Sequence, residues 1–301
     1  MQAVELVDVG PRDGLQSDAV ILPTPVKLQL IERLIGSGVR AIEVASFVHP
    51  KKVPQMADAE AVFAGLNSRA DVRYIGLVLN RKGFDRAIAA GCRDISMVTA
   101  ATDEFAKSNQ GASLGESLAA WQEIAPLARA AKARIELTIS VAFGCPFTGE
   151  VPMEKVIAVV QQAASAKPDA ITLADTIGVA VPNQVRELFT RARAAIANVI
   201  ALRAHFHNTR NTAVANTQAA LDVGIRSFDA SVGGIGGCPF APNATGNVAS
   251  EDLLYLFERS GYSTGVDLQR LIATAKWLGE QLGKVMPSML SRAGGWPKRT
   301  Q

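Results

Sequence analysis

One pattern recurs eight times along this chain, and it narrows the fold more than composition does: an apolar, strand-like run followed by an amphipathic helical segment. The runs are Val4 to Val9, then stretches beginning near Ala41, Val72, Asp94, Arg134, Asp169, Leu202 and Ser227. Strands that alternate with helices must cross over and pair in parallel. Eight such units in 301 residues predict an α/β fold, a (β/α)8 TIM barrel, in preference to two Rossmann halves. No linker rich in Pro, Gly or Ser interrupts the series. One domain over residues 1–301 is therefore expected, with the barrel at about 3–260 and an additional C-terminal helix and tail at about 265–301. The first unit shows the punctuation. Gly10-Pro11 ends the ladder, Thr24 is the expected N-cap, Pro25 suits the first helical position, and Gly36 closes the helix.

A barrel makes a positional prediction, because catalytic side chains collect at the carboxyl ends of its strands. Arg12 and Asp13 follow strand one, Glu43 and Ser46 lie late in strand two, and Asp175-Thr176 end strand six. His205 and His207 end strand seven, and Gly233 to Cys238 follow strand eight. The chain has three histidines, and two of them stand one residue apart. In an extended strand they emerge on one side, with Phe206 facing away. Such a pair is either two hydrogen-bonded imidazoles or two metal ligands awaiting oxygen partners. Asp13 is the natural carboxylate, since only strand eight separates strands one and seven in a closed barrel. Asn247 offers an amide carbonyl. Taken singly, Asp13 reads as a turn carboxylate and Asn247 as a loop residue. Taken together, one carboxylate, two imidazoles and one amide suit Mg²⁺ or Mn²⁺ and leave room for two substrate oxygens.

Around that set, Arg12 carries a permanent fork of donors fit for a developing oxyanion, and Glu43 would hold it. Cys238, at the tip of a glycine-rich loop, has an ordinary pKa of roughly 8.5, which leaves it a thiol able to donate a proton near neutrality. Cys92 and Cys145 read as small buried residues, and His49 as a loop residue at the barrel mouth. Other classes are set aside by charge and composition. The net charge is +3 with Lys and Arg scattered, so no nucleic acid partner is expected. No long apolar stretch or N-terminal signal pattern is present, and the expectation is a soluble, cytoplasmic protein without a membrane partner. Three distant cysteines argue against a disulfide framework.

Several motifs together resemble the hydroxymethylglutaryl-CoA lyases, within the aldolase-type metallolyase barrels. They include Val9-Gly10-Pro11-Arg12-Asp13-Gly14-Leu15-Gln16, Ser46-Phe47-Val48-His49-Pro50, Gly144-Cys145-Pro146-Phe147 and Asp175-Thr176-Ile177-Gly178. They continue with His205-Phe206-His207, Gly236-Gly237-Cys238-Pro239-Phe240 and Thr245-Gly246-Asn247. The resemblance implies metal ligation by Asp13, His205, His207 and Asn247, and catalysis by Arg12 and Cys238. Glu43, Asp175, Ser46 and Glu251 match supporting polar positions. It implies cleavage of 3-hydroxy-3-methylglutaryl-CoA to acetyl-CoA and acetoacetate, with His205 or Asp13 as base, Arg12 steadying the thioester enolate and Cys238 protonating it. Arg12, Gln16, Ser46, Glu136, Thr172 and Arg210 are the expected substrate contacts, and a dimer or tetramer is the expected assembly. Other readings are a lyase for a different 3-hydroxyacyl-CoA, a Claisen-condensing synthase of the same superfamily, or a metal-binding scaffold.

The chain departs from the family's pattern where Glu136-Leu137-Thr138 replaces Arg-Gly-Tyr and Arg210 replaces a tyrosine. Period two puts Glu136 on one row with Thr138 and Ser140. The expectation is that Glu136 faces the substrate and repels its carboxylate unless Arg210 compensates, so that a different acyl group is preferred.

Overall fold

In the computed structural model, which describes residues 2–237 and 246–297, the eight apolar runs form a closed parallel barrel in which each strand pairs with the next and the last with the first. The strands are β1 (Glu5–Asp8), β2 (Ala41–Ser46), β3 (Arg73–Val78), β4 (Asp94–Ala100), β5 (Arg134–Ser140), β6 (Ala170–Asp175), β7 (Ala201–Phe206) and β8 (Ser227–Ala230). Closure rests on β1 pairing with both β2 and β8, Val7 opposite Ala41 and Asp229. Every strand is almost entirely buried because helices cover its outer side. The core between strands and helices is aliphatic and aromatic, with Leu30, Ile31, Leu34, Trp121, Phe189 and Phe257 wholly inaccessible or nearly so.

Helix α1 (Thr24–Gly36) buries the apolar stripe Leu30, Ile31, Leu34 and Ile35. Its cap differs from the sequence expectation. Pro23 occupies the N-cap position, and Thr24 instead donates its hydroxyl to Asp58 Oδ2 at 2.7 Å. The C-terminal helix (Leu268–Leu282) starts at Asp267, whose carboxylate accepts from the backbone N–H groups of Gln269 and Arg270. This helix packs on α1. A two-stranded pair, Gln2–Ala3 with Tyr262–Ser263, ties the first residues to the region just before that helix.

The barrel interior is unusual in what fills its amino-terminal end. Arg73, Glu5, Asp94, Glu136, Arg203 and Ser227 meet there in a web of ion pairs and hydrogen bonds. The carboxyl end is open instead, and it leads into a cavity of about 1820 Å³.

Candidate active site

Asp13, His205 and His207 converge at the base of that cavity, each offering a ligand atom within 4.8 Å of the others. The local fold explains how. After β1, Gly10–Gly14 winds into a single wide helical turn in which Asp13 and Gly14 both donate to the Val9 carbonyl. This turn presents Arg12 and Asp13 over the barrel. The imidazoles of His205 and His207 share one side, ring centres 5.2 Å apart, while Phe206 packs outward 6.0 Å from Phe143. Period two alone accounts for that separation of faces.

Asn247 reaches the cluster because its segment is laced to the strand ends. His207 bridges to Asn247, Asn208 N–H donates to the Gly246 carbonyl, and Val248 N–H donates to that of Phe206. Its amide N–H donates to Asp13 Oδ2 at 2.7 Å and to the Ile235 carbonyl at 3.2 Å. Gly236 makes room for it: its φ is +123°, and a Cβ there would lie 2.5 Å from the Asn247 amide nitrogen.

The electrostatics separate the two imidazoles. Burial and the neighbouring His205 hold His207 down to about 4, so it is a neutral ligand-type imidazole. Burial also opposes charge on His205, but the hydrogen bond and charge of Asp229, with Asp13, outweigh it and raise its pKa. Asp13 is lowered to about 2 despite burial, by Arg12 and both histidines. Two buried atoms of this cluster, His207 Nδ1 and Asn247 Oδ1, have no hydrogen-bond partner among the described residues. Unpaired buried lone pairs beside an ionised carboxylate are what a divalent cation would satisfy. The donor set therefore fits a metal ion.

Arg12 donates from Nε to Glu43 Oε2 at 2.5 Å and from Nη1 to Asp13 Oδ1 at 2.7 Å. Glu43 is pushed up to about 7, mainly by burial. Gln16 and His49 also line the cavity. Asp175 is close enough to His205 to interact with it electrostatically, and its carbonyl accepts from His207 N–H, but it is not on the cavity wall. It is buried behind the wall, accepting from the N–H groups of Val179 and Ala180, and thereby shapes the loop after β6. Ser46 and Thr172 are buried and outside the cavity wall, which Phe47, Ala174 and Thr176 supply instead. Cys238 lies outside the described residues. Glu251 is buried and accepts from Gly233 N–H, at the base of the glycine loop. Cys92 and Cys145 are buried.

Two expectations are corrected. Glu136 does not face the substrate cavity; it sits at the amino-terminal end of the barrel, bonded to Arg73 at 2.6 Å and to Arg203 at 2.6 and 3.1 Å. Its neighbours Thr138 and Ser140 do line the cavity, so the row was right and the depth wrong. Arg210 is exposed and donates to the carbonyls of Ile177 and Gly178, so it does not pair with Glu136. Sequence reasoning also missed Asp229, which faces His205 from β8 with Nδ1 to Oδ2 at 3.2 Å. The only signal was its place, mid-strand on the same alternation, in Ser227-Phe228-Asp229.

A family model described as HMGL-like matches residues 3–278. The (R)-citramalyl-CoA lyase of Chloroflexus aurantiacus is 44% identical over 98% of this chain and 96% of that protein. The hydroxymethylglutaryl-CoA lyase of Pseudomonas mevalonii is 42% identical, again over 98% and 96%. An HMG-CoA lyase from Acinetobacter baumannii, solved with coenzyme A and 3-methylmalate, superposes with a TM-score of 0.95 at 37% identity, covering 99% of this chain and 97% of that one.

Proposed function

We propose, from the premise that this chain belongs to the HMGL-like family of divalent-metal-dependent lyases, that it cleaves a carboxylated 3-hydroxyacyl-CoA to acetyl-CoA and an oxo acid. The observation that carries this is the meeting of Asp13, His205 and His207 under a large cavity at the carboxyl end of the barrel. Asp13, His205, His207 and Asn247 would hold Mg²⁺ or Mn²⁺. When bound, such an ion lowers the pKa of a chelated hydroxyl. The Asp13 carboxylate, both imidazoles being committed as ligands, then takes the hydroxyl proton, and the electron pair of the breaking carbon–carbon bond passes to the thioester enolate. Arg12, braced by Glu43 and Asp13, is placed for that enolate oxygen. Cys238 is the proposed donor of the proton that converts the enolate to acetyl-CoA; Cys238→Ser is expected to lose about 10² to 10⁴ in turnover with metal binding intact. The exposed Lys52 and Lys82 line the cavity and offer cations suited to the phosphates of coenzyme A, while Lys284 is paired with Asp18.

Two acyl groups fit this chemistry: 3-hydroxy-3-methylglutaryl and citramalyl, which differ by one methylene between the hydroxyl carbon and the carboxylate. Held by Arg73 and Arg203 at the far end of the barrel, Glu136 does not disfavour the first on charge. The test is turnover of both thioesters by Mn²⁺-loaded protein, with acetyl-CoA as readout. A kcat/KM above about 10⁴ M⁻¹s⁻¹ for one of them is expected. Absence of carbon–carbon cleavage with either one, and across a wider panel of 3-hydroxyacyl-CoA thioesters, would overturn the proposal.

A further inference from the structure

Behind the three converging side chains runs a second line of buried polar groups that the reaction as described does not use. Asp229 Oδ2 lies 3.2 Å from His205 Nδ1, and its other oxygen, Oδ1, lies 3.6 Å from Arg203 Nε. Arg203 in turn is clamped by both oxygens of Glu136 and donates to Ser227 Oγ at 2.9 Å. Ser227 donates its own hydroxyl to Glu5 Oε2 at 2.6 Å. His205, Asp229 and Arg203 are all buried. His205 and Asp229 stand directly opposite in the β7 and β8 ladder, so the backbone fixes their spacing.

We infer that Asp229 is a positioning residue for His205: it accepts a hydrogen bond from Nδ1–H, fixing the tautomer in which Nε2 turns its lone pair to the cavity. Asp229 is not itself one of the converging ligand groups among the described residues. It stands on the ring's other nitrogen, the place from which a carboxylate orients a ligating imidazole. Arg203 holds that carboxylate in turn, and Glu136 balances Arg203. The glutamate that departs from the family's pattern is thus a distant support of the metal cluster rather than a substrate contact.

The inference rests on the metal reading above, so its test has one arm that needs no metal. Long-range ¹H–¹⁵N correlation on metal-free, ¹⁵N-histidine-labelled protein, recorded at a pH alkaline enough to leave the raised-pKa His205 ring neutral, resolves the tautomers of three histidines, with His205 assigned by its loss in His205→Gln. The expected signature is a protonated Nδ1 and a bare Nε2; a protonated Nε2 with a bare Nδ1 would overturn the inference. In the second arm, folded Asp229→Ala is expected to bind Mn²⁺ about 10- to 100-fold more weakly, with turnover partly rescued by excess Mn²⁺. Wild-type affinity in that variant would also sink it. Should Asp229→Ala fail to fold, the tautomer measurement on the unmutated chain decides. If the unmutated chain binds no Mn²⁺, the metal reading fails, and the tautomer alone still accepts or rejects the role of Asp229.

Discussion

At the amino-terminal end of the barrel, buried charge is spent on other buried charge; at the carboxyl end, it is left available. Glu136 is lowered to about 2, because Arg203 and Arg73 outweigh the burial that opposes its charge. Arg73 alone reaches Glu5, Asp94 and Glu136 at 2.6 to 2.7 Å. Past the strand end, beyond Arg203 on the same strand, His207 Nδ1 is buried with no hydrogen-bond partner among the described residues, and so is Asn247 Oδ1. Glu43 is raised to about 7 by burial even though it holds Arg12. Charge paired with charge at one end, where Asp94 Oδ1 still lacks a hydrogen bond among the described residues, fastens the strands together, and unsatisfied polarity at the other is where a ligand can gain binding energy. The line from His205 through Asp229 to Arg203 joins the two ends.

That contrast can be broken most directly at the open end. His207→Ala is expected to abolish stoichiometric Mn²⁺ binding and to cost at least about 10³ in turnover, or about 4 kcal/mol. Its melting temperature should barely fall, since the lost imidazole was buried and unpaired on one nitrogen. Retained metal content, measured by atomic absorption, would remove His207 from the ligand set. At the closed end the effects should reverse. Glu136→Ala leaves Arg203 buried without its main counter-ion, and a loss of about 3–5 kcal/mol in urea unfolding is expected, with a smaller loss of turnover per folded molecule than His207→Ala causes. A near-neutral effect on stability would show that the web is not a structural clamp.

A gentler probe sits between the ends. Gly236→Ala introduces a Cβ 2.5 Å from the Asn247 amide, in a backbone conformation L side chains avoid. Strain of roughly 1–3 kcal/mol is expected, with weaker Mn²⁺ binding by isothermal titration calorimetry. Unchanged affinity would mean that Asn247 is no ligand.

The smallest effect concerns Asp8, which is buried, accepts from Gly10 N–H at 2.9 Å and from Ser250 Oγ at 2.6 Å, and so anchors the turn that carries Arg12 and Asp13. Burial raises its pKa to about 7. The unfolded chain releases this proton near pH ~3.9, before the folded chain does. Stability from this group is therefore highest below that point, falls as pH rises toward about 7, and stays lower above. Asp8→Asn can keep both hydrogen bonds without the charge. Its melting temperature should exceed that of the wild type at pH 8, by a stability gain on the order of 1 kcal/mol, and the two should converge in acid. Equal pH profiles would place the ionised carboxylate at no disadvantage in the fold.

Much of the site was legible before any coordinates because its signals are local. The alternation in Arg203-Ala204-His205-Phe206-His207 states which side chains share a face, and the turn chemistry of Gly10-Pro11 states where β1 must stop. The same alternation put Glu136 on the correct face and at the wrong depth. Asp175 stands at the end of its strand as expected, and there its carboxylate also caps the loop that follows.

What the sequence determined by itself was the repeated strand and helix unit, the barrel it closes into, and the roster of polar residues at the carboxyl ends of the strands. Those follow from periods of two and of three to four residues, which any short stretch displays. Only the tertiary structure decided that Glu136 answers Arg203, that Asp229 faces His205, and that Asn247 is drawn up to Asp13. Each of these is a pairing between strands or loops distant in the chain. It depends on the register and tilt with which the closed sheet brings its strands together, and neither is written in the alternation of any one strand.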